Sequence, residues 1–129
     1  MKQLLCGGLL AFLLCGCGKE QPTLSGGKPV SHWLAEAKGP DARARKRAVF
    51  KLGNVGPADV AAFPAVLAAL ADQDPSVRCE AIRAVVKFGP KGQVAQSKLA
   101  EMRQNDDDEQ VRDFAGKALD KLKEIPTGG

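Results

Sequence analysis

An arginine stands six residues after an aspartate twice in this chain, Arg78 after Asp72 and Arg112 after Asp106. A guanidinium presents its donors in a rigid fork and can hold carboxylate and carbonyl oxygens together, so the chemistry offered is the tying of inter-repeat loops. These four residues are read as structural. The rest of the reactive inventory is thin. His32 is the only histidine, and with Glu36 four residues on it makes half a metal site at most. There is no recognisable Ser-His-Asp set, Cys-His nucleophile or glycine-rich phosphate loop, and Gly53-Asn54-Val55-Gly56 reads as a helix stop. The run Asp106-Asp107-Asp108-Glu109 lacks the spacing and the glycine of a calcium loop. It reads as a solvated turn whose last acids favour a helix N-terminus. No catalytic residue, metal or cofactor is expected.

The elements that must position the arginines repeat with them. Val77-Arg78-Cys79-Glu80-Ala81 returns as Val111-Arg112-Asp113-Phe114-Ala115, and Arg45 with Ala48 falls in the same register one unit earlier. Gly56-Pro57 likewise coincides with Gly89-Pro90. A unit of this period cannot bury its apolar face alone, which predicts stacked helix pairs. Composition agrees: of 129 residues 44% are hydrophobic and only 5% aromatic, with no tyrosine. That favours close helix packing over a sheet sandwich.

The first pair is expected as a short helix from an Ser31 N-cap through Lys38, then one from near Asp41 to a left-handed stop at Gly53. In the second pair, Pro64 suits the first turn of a helix carrying Val66, Leu67 and Leu70. Asp74-Pro75 starts its partner and Phe88-Gly89-Pro90 stops it. The third pair buries Val94, Ala95, Leu99 and Met102, then Val111, Ala115, Ala118, Leu119 and Leu122, before Ile125-Pro126 ends it. On the helix from Pro75, the stripe Val77, Ala81, Ala84, Val85, Phe88 lies nearly opposite a second one, Cys79, Ile82, Val86. A helix apolar on two sides is sandwiched, and this one should be the most buried. Cys79 is expected to be a small buried apolar residue.

The N-terminus obeys different rules. Lys2 precedes an apolar run, Leu4 to Leu14, of signal-peptide length and too short to span a bilayer. Leu14-Cys15-Gly16-Cys17 then resembles the lipobox of bacterial lipoproteins. That resemblance implies a signal peptide over 1–16, lipid on Cys17, and a protein exported and anchored to a membrane of the cell envelope. Residues 17–28, with Gly18, Pro22, Ser25, Gly26 and Gly27, are expected to be a flexible tether. The chain's formal charge is +4. From Cys17 to Pro57 there are eight Lys or Arg against three acids, +5, and from Ala58 onward ten against twelve, −2. So modest an excess does not point to nucleic acid, and none is expected as partner.

Asp72, Arg78, the alanine three residues on and the closing glycine together resemble HEAT repeats, especially the short type also found in phycobilin lyase subunits. The likeness covers about Pro29 to Ile125, in units of about 29–57, 58–90 and 91–125, with 126–129 as a tail. It implies an all-α fold, a short α-solenoid of three helix pairs. Gly39 departs from it, standing where the first loop aspartate belongs. HEAT-type hydroxylases hold iron with several His-Glu pairs, and no such dipeptide occurs here.

In HEAT solenoids the second helices line the concave side. Their polar register here holds Arg43, Arg47, Phe50 and Asn54, then Ser76, Glu80, Arg83 and Lys87, then Gln110, Phe114, Lys117 and Lys121. The resemblance makes Arg43, Arg47, Phe50, Glu80, Arg83, Lys87, Phe114, Lys117 and Lys121 the candidate binding surface. The expected function is a membrane-anchored, noncatalytic scaffold for protein–protein interaction, its protein partner unidentified. The repeat subtype also suggests an alternative, a lyase-like accessory subunit that binds a tetrapyrrole.

Overall fold

The computed structural model describes residues 23–127. The signal segment 1–16, Cys17 and the first part of the expected tether lie outside them. Six helices follow a small hairpin: α1 Val30–Glu36, α2 Ala42–Val55, α3 Ala62–Ala69, α4 Pro75–Lys87, α5 Gln96–Asn105 and α6 Glu109–Glu124. They form three successive pairs, and the second helices pack on one another, α2 on α4 and α4 on α6, far more than the first helices do. The fold is a short all-α solenoid. Helices that lie closest to their successors form the inside of its curve, so α2, α4 and α6 are the inner layer.

Local chemistry explains most boundaries. Asp41 accepts the amides of Arg43 and Ala44, Asp74 that of Ser76 and Asp108 that of Val111, each satisfying otherwise unpaired donors of a first turn. At the other ends of α2 and α4, Gly56 and Gly89 take φ of +56° and +60°, a region open to glycine and costly for other residues. Pro57 and Pro90 follow them into short 3-10 segments, Gly56–Ala58 and Gly89–Ala95.

Three boundaries differ from expectation. Helix α2 does not stop at Gly53 but continues to Val55. Gly53 is buried where α2 crosses α4, and a Cβ on it would stand 2.8 Å from that of Ala84. Its small size serves helix contact, not chain reversal. Helix α1 begins at Val30 after an uncapped Pro29, leaving Ser31 exposed inside it, and ends at Glu36 rather than Lys38. The Val30 amide donates instead to the Thr23 carbonyl at 3.1 Å, so main chain supplies what the serine was expected to. Val94, expected in the core, is 69% exposed because the 3-10 segment turns with a different period from the α-helix that follows.

The tether is also shorter than expected. Leu24–Ser25 pairs antiparallel with Lys28–Pro29 across Gly26 and Gly27, both with positive φ as a two-residue type I′ turn demands. The Ser25 hydroxyl donates to the Lys51 carbonyl of α2 at 3.0 Å, and the buried Trp33 indole donates to the Ser25 carbonyl at 2.8 Å. An isolated hairpin is marginal in water, and these two bonds fasten this one to the first helix pair. Residues 23–29 thus belong to the folded body.

One continuous core runs through the stack, from Val30 and Trp33 through Leu52, Val66, Ile82 and Leu99 to Leu122. Seven of the thirteen residues of α4 are buried, against five of fourteen in α2 and four of sixteen in α6. The central second helix is therefore the sandwiched one. Burying a side chain such as Ile82 contributes about 1.5–3 kcal/mol, so this helix gives its neighbours most of their reason to stack. Cys79 is a free thiol, 7% exposed. Burial pushes its pKa up, as befits a packing residue. No helix among the described residues is long and apolar enough to cross a membrane.

Candidate binding face and the loop ladder

The arginines of the repeat form a ladder along the inter-repeat loops. Arg45 donates through Nε and an Nη to both carboxylate oxygens of Asp72, each at 2.9 Å, while its other Nη holds the carbonyls of Gly39 and Pro40. Arg78 repeats this one unit later. It takes Asp106 through the same fork at 3.0 and 2.9 Å and the carbonyls of Asp72 and Gln73 at 2.8 and 3.2 Å. Each arginine thus grips its own loop by main chain and the next loop by carboxylate. Arg112 donates to the Asp106 carbonyl at 2.6 Å, and no carboxylate partners it among the described residues. Arg112 meets no following loop acid among the described residues, which is why the ladder has two complete rungs.

Each loop acid is held from both sides. Asp72 and Asp106 also accept the amides of Asp74 and Asp108 at 2.9 and 3.0 Å. Burial works to raise their pKa, but the arginine and amide hydrogen bonds outweigh it and hold both carboxyls below the usual carboxylate range.

The inner face is built on another principle. Between α4 and α6 lies a groove of about 300 Å³, floored by Ile82, Val86, Phe114 and Ala118 and rimmed by Arg83, Lys117 and Lys121. The Arg83 guanidinium lies 4.5 Å from the Phe114 ring centre, a cation on an aromatic face. One repeat away, Arg43, Lys46, Arg47 and Phe50 surround a second recess between α2 and α4. Lys87 bridges the two regions, donating to Asn54 at 2.7 Å with its ammonium 4.8 Å from the Phe50 ring centre. The structure therefore brings all nine candidate residues to one side of the stack.

Glu80 sits there differently from expectation. It is 5% exposed, a buried member of the second recess, and its nearest cation is Arg83 at 3.8 Å. Its position on α4 places it at the seam with α2, where the long side chains of α2 lie over it. Arg47 is only partly free, because it is hydrogen-bonded to Glu36 on α1, and that contact lowers the Glu36 pKa. Lys117 is paired with Asp113 one turn back at 2.7 Å. These exposed pairs are weak and exchangeable.

Two contributors escaped the sequence reading. Arg45 was in register with Arg78, but its acid lies 27 residues on, and the six-residue spacing pointed to the arginine's own loop. The fork of Ser25 and Trp33 gave no local signal at all.

A stack of helix pairs with a gripped loop edge and a basic inner face defines a repeat solenoid. The family model for HEAT repeats matches residues 30–120, and the chain belongs to that family. No curated protein matches the chain at a significant level. HEAT repeats generally mediate protein–protein interaction.

Proposed function

We propose that this chain is a noncatalytic scaffold, lipid-anchored at Cys17 to a bacterial envelope membrane, whose inner face binds a protein partner. The observation that carries the reading is the gathering of Arg43, Arg47, Arg83, Lys87, Lys117 and Lys121 with Phe50 and Phe114 on one face of a HEAT stack. Arginine and aromatic side chains are the types that anchor interfaces, and a surface of one charge sign selects partners of the other. Anchoring is supported by Leu14-Cys15-Gly16-Cys17 after a short apolar run.

Capture from detergent-solubilised envelope tests the face: reversal of Arg47, Arg83 and Lys87 to glutamate should abolish a partner that the unaltered protein retains. An identical partner profile from the reversed protein removes the face from the proposal. The mass of the mature N-terminal peptide tests the anchor, with an unacylated Cys17 overturning it.

A further inference from the structure

The two recesses of the inner face share a construction that specifies what should fill them. Each couples apolar surface to cations, Phe114 with Ile82 and Val86 beneath Arg83, Lys117 and Lys121, and Phe50 beside Arg43, Lys46 and Arg47, where the one acid, the buried Glu80, faces Arg83 at 3.8 Å. Arg43, Lys46 and Lys121 are exposed and have no paired carboxylate among the described residues. The cations ask for carboxylates and the floor for an apolar side chain. Neighbouring packed helices lie about 8–10 Å apart, a distance that a segment extended as polyproline II covers in three residues, one full turn that brings side chains i and i+3 to the same side. Resting on the scaffold reading above, we propose that the inner face takes an extended acidic peptide segment, with one apolar side chain in the α4–α6 groove and a second against Phe50 three residues away.

A second copy of this chain does not supply such a segment. In its acidic run, Asp106 is held by Arg78 and Asp108 caps α6, and Val111 beyond them is fully buried. An acyl carboxylate of lipid type would match one recess but not the pair.

The probe is a fluorescein-labelled glutamate peptide carrying two leucines three residues apart, titrated against the full chain by anisotropy. It should bind at least about tenfold more tightly than the same peptide with serines for leucines, a difference of about 1.4 kcal/mol. Lys121→Glu, an exposed change, should weaken it by about tenfold, and Val86→Gln should weaken the leucine peptide while leaving the serine peptide unchanged. Equal binding of leucine and serine peptides overturns the proposal, as does displacement of the peptide by an equal concentration of decanoate. If envelope capture is lost on reversal of Arg47, Arg83 and Lys87 while the leucines make no difference, the peptide proposal falls and the scaffold reading stands. If the leucines matter but capture is indifferent to the reversal, the inner face leaves the scaffold reading and this proposal falls with it.

Discussion

Along the loops, Arg45 and Arg78 are fully matched, both carboxylate oxygens on one edge and carbonyls on the other. On the inner face, Arg43, Lys46 and Lys121 are the same kinds of side chain with no carboxylate fitted to them among the described residues. One set is consumed by folding and the other is left over, which is what the proposed binding face rests on. The difference shows that a cation's prominence in a repeat pattern measures its structural duty. Residues that recur at every unit do the same work at every unit, whereas recognition requires positions free to differ.

Breaking the ladder should cost most. Arg78→Ala removes the fork from Asp106 and the donors from two carbonyls, and should destabilise by about 2 kcal/mol, less than a wholly buried pair because water reaches its edge. The melting temperature should fall by roughly ten degrees, with Arg112→Ala, which loses one carbonyl contact, falling far less. Equal losses would show that the carboxylate rung contributes nothing.

The contact between inner helices comes next. Alanine normally improves a helix interior over glycine, but Gly53→Ala would drive a Cβ into Ala84 and should destabilise by about 1 kcal/mol. A stabilised variant would mean that α2 and α4 have room to separate.

Acid should then distinguish the regions. The folded pKa values of Asp72 and Asp106 are depressed, so their contribution is complete above the unfolded value of about 3.9 and is lost as pH falls through the folded values. Thermal scans should show a decline of a few degrees below about pH 4, smaller in Asp106→Asn, and an Asp106→Asn profile parallel to the parent would separate acid stability from the ladder. The smallest effect belongs to the inner face. Lys121→Glu should change stability by no more than about 0.5 kcal/mol, and a larger drop by calorimetry would turn that lysine into part of the fold.

Legibility followed the range of the interaction. The caps at Asp41 and Asp74 and the stop at Gly89 are local chemistry, and each could be read from a few neighbouring residues. Gly53 looked like the same kind of stop, because nothing near it in sequence announces Ala84. The hairpin was hidden for the same reason: Gly26-Gly27 is as good a tether as a turn until Lys51 and Trp33 are brought beside it. At the inner face, helical periodicity assigned Arg83, Phe114 and Lys121 to one side but could not tell that Glu80, on the same stripe, would be covered by the long side chains of α2.

The offset of the rungs makes the middle unit interchangeable. Residues 58–90 carry an acid for the arginine before them, a cap for their own helix, an arginine for the acid after them and a terminating glycine. A duplicate of that stretch inserted after Pro90 would find a carboxylate waiting at its far end and present one at its near end. The solenoid can therefore be lengthened one cassette at a time, its inner surface growing by about 10 Å with each, without any end having to be redesigned.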